Sequence, residues 1–238
     1  MRSRSFQQLL RRLREYTEYL RTLTSKLTHE LRTPLAIVST SLDNLEHEPE
    51  SASVYLERLR QGTARLEGIL SAMAAATRVE QAIDQAGTER FDLAAVVGAC
   101  VNAYRDVYPG RDFELRRPPQ ELTVVGSSEL LAQLMDKLVE NAASFAEPGT
   151  PIVVAADVLP DELRLSVANR GPVLPASMRH QLFDSLVSVR DAGDGRPHLG
   201  LGLYIVALIA KHHGGRVEAA DLPSGDGVIV SVYFPRGS

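Results

Sequence analysis

The chain has 238 residues, 44% hydrophobic and 24% charged, a length for one large domain or two modest ones and a composition that excludes disordered, collagen-like and low-complexity proteins. Its net charge of −4 gives no reason to expect a nucleic-acid partner, and its single cysteine, Cys100, cannot close an internal disulfide, which suits a reducing cytosol. The longest apolar run, residues 199–210, is interrupted by glycines and falls short of the roughly 20 residues a membrane span needs, and no signal-peptide pattern opens the chain.

The first part of the chain has a helical period. Leu13, Tyr16, Leu20, Leu23 and Leu27 recur at alternating steps of three and four, a heptad seam that resumes after Pro34 as Leu35, Val38, Leu42 and Leu45. Glu48-Pro49-Glu50-Ser51 reads as a turn, and a second seam follows through Leu59, Gly62, Leu66, Ile69, Met73 and Ala76. Two long helices joined by a short loop make a helical hairpin, and one hairpin cannot bury both stripes. A homodimer can, by forming a four-helix bundle.

From Phe91 the texture changes. A short strand at 90–93 leads into an amphipathic helix over 91–107, and residues 112–116 and 122–125 look like strands. A strong helix spans 127–146, with Ser127 or Ser128 as its cap and Glu129 in its first turn. Strands at 151–158 and 162–167 flank a Pro160-Asp161 turn, and the Gly- and Pro-rich segment 170–198 has the length of a functional lid. A helix at 201–213 and strands at 216–220 and 228–234 complete the pattern. The expected fold class is α+β: the helical hairpin, then an α/β sandwich whose mixed sheet is covered on one face.

Four clusters of residues can carry chemistry. In Thr28-His29-Glu30-Leu31-Arg32-Thr33-Pro34, His29 lies two positions from both Leu27 and Leu31, so at about 100° per residue it points away from the apolar stripe. Thr33, four residues on, shares its face. The His29 Nε2 is a nucleophile near neutral pH, and Glu30 can take the proton from Nδ1. Asn141, an amide on a largely apolar helix, offers an oxygen suited to Mg²⁺. Asn169-Arg170-Gly171-Pro172 marks a strand end followed by a tight turn. Gly200 and Gly202, at the mouth of a helix, allow phosphate to approach the backbone.

In series these clusters resemble the sensor histidine kinases of two-component signalling. Residues 29–34 match the family's H box and Asn141 its N box; Asn169–Pro175 stands at the G1 box, Phe183 at the F box, and Gly200-Leu201-Gly202-Leu203 at the G2 box. The resemblance implies a signalling helix (1–21), a dimerisation and phosphotransfer domain (22–84) and a Bergerat-type ATP-binding domain (85–238). It implies a homodimer that uses ATP and Mg²⁺ to phosphorylate His29, with Glu30 as general base, Asn141 on the metal, and Asn169, Gly171, Phe183, Gly200, Leu201, Gly202 and Leu203 about the nucleotide. The phosphoryl group then passes to an aspartate of a response regulator, and a residue at the Thr33 position orients water for dephosphorylation. The expected setting is the cytoplasmic portion of a bacterial inner-membrane protein, with its sensor and membrane region N-terminal to these residues.

Four positions depart from the family pattern. Asn169 replaces an aspartate that accepts a bond from adenine, and Val173 replaces the second glycine of the G1 box. Lys137 stands where a second asparagine is usual, and Ser144 where a basic residue is. A neutral amide oxygen still accepts a hydrogen bond, more weakly than a carboxylate. The alternative reading is a kinase-weakened dimeric phosphatase or scaffold that still binds nucleotide.

Overall fold

The computed structural model describes residues 2–175, 182–183 and 201–236, with the backbone alone at 2–20, 22, 23, 26 and 49. Its described residues fall into two compact units, one running to Met73 and the other beginning at Ala74. The seam positions Leu13, Tyr16, Leu20 and Leu23 fall among the side chains that are not described.

The first unit is the expected hairpin. Helix α1 (Arg2–His47) continues through Pro34, a short 3₁₀ turn (Pro49–Ser51) reverses the chain, and helix α2 (Ala52–Gln85) returns along it. Tyr55 closes the loop by donating its hydroxyl to Glu48 at 2.6 Å. Gly62 lets the helices come close: a Cβ there would lie 2.7 Å from Val38 Cγ2 and 3.2 Å from the Pro34 carbonyl oxygen. Among the described residues of this unit the buried positions are Pro34 and Ser41 on α1 and Tyr55, Gly62 and Ile69 on α2, each line stepping by seven residues. Of the expected α1 seam, Leu35 and Leu42 are 56% and 50% exposed on this single hairpin, where Pro34 and Ser41 are the buried positions.

The second unit begins with the last turns of α2, where Val79 enters the core and Ala75, Ala82 and Ile83 pack beside it. It continues with β1 (Glu89–Asp92), α3 (Leu93–Val107), β2 (Phe113–Arg116), β3 (Thr123–Gly126), α4 (Ser128–Phe145), β4 (Ile152–Val158), β5 (Glu162–Arg170), α5 (Gly202–His212), β6 (Arg216–Asp221) and β7 (Gly227–Pro235). The main sheet has the order β2-β4-β5-β7-β6, with β2 and β4 parallel and the other pairs antiparallel. Helices α3, α4 and α5 pack against it, and the core between them includes the fully buried Leu131, Leu134, Met135, Val139, Ile209 and Phe234. Strands β1 and β3 form a separate antiparallel ribbon, which the sequence pattern does not distinguish from the main sheet. Among the described residues no helix is long and apolar enough to cross a membrane.

Two element boundaries differ from expectation. Helix α3 starts at Leu93, not Phe91, because Asp92 is its cap: its Oδ1 accepts from Ala94 N at 3.0 Å and from Leu122 N at 2.9 Å. Strand β5 runs on to Arg170 instead of ending at Val167, because Ala168, Asn169 and Arg170 still pair with Ile229, Val228 and Gly227.

One side chain ties the helical layer to the ribbon. His213, just past α5, is 4% exposed; its Nδ1 donates to the Ile209 carbonyl at 2.8 Å and its Nε2 accepts from Ser127 N at 3.1 Å. Its ring stands edge-on to Phe91 and Phe234 and fills the space where Gly126 lacks a side chain. A Cβ at Gly126 would overlap that ring. Gly126→Ala is therefore expected to destabilise the second unit by about 1–3 kcal/mol, read as a lower urea midpoint at unchanged slope.

Candidate functional site

The site residues divide between the two units. On α1, His29 and Thr33 are both exposed, one turn apart on one face, and His29 makes no hydrogen bond among the described residues. Leu27 and Leu31 flank them, half-buried. Glu30 is rotated about 100° from His29 and turns toward α2, where its Oε2 accepts from Arg65 Nη2 at 3.1 Å. About one third of each of these two side chains is exposed, 33% for Glu30 and 34% for Arg65.

The remaining residues lie in the second unit. Helix α4 starts under the Ser127 cap, whose hydroxyl accepts from Leu130 N, and buries Leu134, Leu138, Val139 and Ala142. Asn141 emerges half-buried at the margin of that stripe and has no hydrogen-bond partner among the described residues. One turn earlier Lys137 pairs with Glu140 at 2.7 Å. On the side facing α3, Asp136 accepts the Tyr104 hydroxyl at 2.6 Å; burial, then this bond to a carboxylate, push the phenol pKa far above its ordinary value.

Asn169 lies inside β5 rather than in a turn, and only 5% of it is exposed. Its Nδ2 donates to the Arg170 carbonyl at 3.1 Å, and the amide oxygen has no donor among the described residues. The turn that follows is pinned on both sides. Glu147 N donates to Arg170 O at 3.0 Å, Gly171 N donates to Asp226 O at 2.9 Å, and Arg170 and Asp226 form an ion pair at 3.3 Å. Ser224 and then Arg170 hold the Asp226 carboxyl below its usual pKa. A Cβ at Gly171 would overlap the Phe145 carbonyl, so the strand end presses against the end of α4. Two residues on, Val173 is 47% exposed.

Phe183 is half-buried against the core, as is Leu203. Gly200 and the lid segment 184–198 lie outside the described residues. Leu201 is buried at the N-cap of α5 and offers no side-chain cap, so the first N–H groups of that helix are not satisfied by one. A Cβ on Gly202 would meet nothing within 4 Å, so helix packing does not explain that glycine. Helix α4 packs on both β5 and α5, which brings the helix of Asn141 against the elements of Asn169 and Gly202. Among the described residues no three His, Cys, Asp or Glu side chains cluster as a metal site.

The model of the His Kinase A (phospho-acceptor) domain matches residues 19–82, and that of the histidine kinase-, DNA gyrase B- and HSP90-like ATPases matches residues 126–238. The chain belongs to the sensor histidine kinases. Among curated relatives of this kinase chain, the sensor protein CutS of Streptomyces coelicolor is 30% identical over 237 residues, covering 97% of the chain and 56% of CutS. The signal transduction histidine-protein kinase BaeS of Escherichia coli is 28% identical over 244 residues, covering 98% and 50%. The chain thus spans about half the length of the curated relatives it matches. Among solved structures, the histidine kinase ThkA in complex with the response regulator protein TrrA shares the fold at a TM-score of 0.65 and 19% identity, covering 95% of the chain and 65% of ThkA.

Sequence reasoning missed three residues that hold the surroundings of these positions. Arg65 sits 35 residues from Glu30, and its period marks only a solvated helix face. Asp226 fixes the Gly171 turn through its carbonyl, which no residue type signals. His213 reads as a helix-terminal polar residue until its ring is seen buried. Gly171→Ala should displace the turn from Phe145 and Asp226 and lower the unfolding temperature of the chain by several degrees in calorimetry, while Val173→Ala, at an exposed position, leaves it within about one degree.

Proposed function

We propose that the chain is an ATP-dependent protein-histidine kinase that phosphorylates His29 and passes the phosphoryl group to an aspartate of a response regulator. The observation that carries this reading is an exposed histidine without a hydrogen-bond partner among the described residues, adjacent to a carboxylate, in a chain that also holds the ATPase module. In the reaction, Nε2 of His29 attacks the γ-phosphorus of ATP. The bond from that phosphorus to the β–γ bridging oxygen breaks, its electron pair leaves with ADP, and Glu30 takes the Nδ1 proton. Positioning and charge neutralisation supply most of the rate in such a transfer.

The residues of the second unit fit ATP as the donor. The free amide oxygen of Asn169, at the end of a buried strand, suits the adenine amino group, and the uncapped N-terminus of α5 beside Gly202 suits phosphate. Phe183, Leu201 and Leu203 complete the apolar wall, with Gly171 admitting close approach. The unpartnered Asn141 fits Mg²⁺, which would neutralise phosphate charge with most of its other ligands from phosphate and water. Residues 1–21 serve as a signalling helix, 22–84 as the phosphotransfer domain and 85–238 as the ATP-binding domain.

Thr33, on the face of His29, is placed to orient water on a docked phosphoregulator, which gives the same helix a phosphatase activity. The ThkA complex with TrrA supports a response regulator as the partner. Leu35 and Leu42 on α1, with Leu56 and Leu70 on α2, leave an apolar face 45–62% exposed on the hairpin. A second copy covers such a face in a four-helix bundle. The second reading, a nucleotide-binding scaffold with weakened kinase activity, rests on the neutral Asn169 and the branched Val173 in the nucleotide turn.

Two measurements test these assignments. Incubation with γ-labelled ATP and Mg²⁺ should give acid-labile label that is lost in His29→Gln; label retained in that variant refutes His29, and unlabelled but ATP-binding protein favours the scaffold. Leu42→Glu with Leu70→Glu should convert a dimer to a monomer in sedimentation equilibrium, and a dimer that persists places the interface elsewhere.

A further inference from the structure

The exposed nucleophile and its neighbouring carboxylate are not joined. No hydrogen bond links Glu30 to His29; the carboxylate is instead held by Arg65 on the opposite helix. Consecutive helical side chains do not face each other, so a carboxylate drawn toward α2 is drawn off the solvent face that carries His29 and Thr33. The pair is a single contact, Oε2 to Nη2 at 3.1 Å, with both side chains one third exposed. A partly solvated single contact is weak enough to be broken within a catalytic cycle.

We propose that Arg65 is a positioning residue that parks Glu30, so that forming phosphohistidine requires the carboxylate to exchange the Arg65 guanidinium for the His29 Nδ1–H. The inference rests on the reading of Glu30 as general base. Among the described residues Arg65 makes no hydrogen bond to His29, and it acts only through the carboxylate it holds. The rate of autophosphorylation is then set partly by how α2 presents residue 65 to residue 30. Anything that rotates or slides α2 against α1 changes the fraction of Glu30 free to act, without altering a residue of the nucleotide site. Gly62, less than one turn from Arg65, is where the two helices approach closely enough for such a shift to be felt.

The test is single-turnover autophosphorylation of the full chain at saturating and limiting ATP, comparing wild type with Arg65→Ala, Arg65→Lys and Glu30→Gln. Arg65→Ala is expected to raise the maximal rate about twofold to fivefold with KM for ATP unchanged, and Arg65→Lys, which keeps one cation for a one-contact pair, to return it to the wild-type value. Nitrogen-15 spectra of the His29 ring should show more of the Nδ1–H tautomer in Arg65→Ala, a change that loss of packing would not produce. A maximal rate that stays or falls in Arg65→Ala overturns the parking role, as does a rise that Arg65→Lys fails to reverse. Glu30→Gln separates the two ideas: if it is inactive while Arg65→Ala shows no rise, parking alone fails; if it is as active as wild type, the base assignment fails and parking with it.

Discussion

The second unit depends on where one imidazole is buried. His213 has both ring nitrogens committed to backbone, Nδ1 to the last turn of α5 and Nε2 to the first N–H before α4. Those two helix ends must therefore stay in register, and with them the N-terminus of α5 and the margin of α4 that carries Asn141. The ring needs a glycine at 126 to make room and two aromatic neighbours to shield it. A buried polar group whose partners are all satisfied specifies one arrangement of its surroundings more sharply than an apolar side chain of the same volume. The elements that carry Asn141 and Gly202 inherit that precision although His213 itself stands at the far end of each helix.

The first unit solves a different problem, keeping His29 in water while the helix that bears it is packed. Pro34 lacks the backbone donor that the carbonyl of Glu30, four residues earlier, would receive in an uninterrupted helix. Gly62 faces Pro34 and Val38 with no side chain, so α2 comes close at that point. The consequence is a separation by helix face: His29 and Thr33 look outward, Glu30 looks across to Arg65, and Pro34 and Ser41 look inward.

Local pattern made much of this legible. A serine cap at 127 or 128, the apolar stripe of α4 and the outward phase of His29 follow from spacing, and the structure shows each of them, with Ser127 as the cap. The failures share one cause, pairing between distant residues. Strand β5 gains three residues from β7, nearly sixty positions later, and it is this that carries Asn169 into the sheet. Arg65 carries no local sign of Glu30 at all. Ser127 and His213, 86 residues apart, are a polar pair that only the folded chain brings together.

The order of the main sheet leaves β2 at one edge and β6 at the other. Both are short, and both show charge to the solvent: Glu114 and Arg116 on β2, Arg216 and Glu218 on β6, with Arg216 further fixed over the Tyr233 ring and against Glu162. Unpaired strand edges invite the same edge of another molecule, and charged, abbreviated strands discourage it. A protein read as working in pairs holds two identical sheets at high local concentration throughout its life. On that reading, its charged edges leave the association of two copies to the leucines of the hairpin.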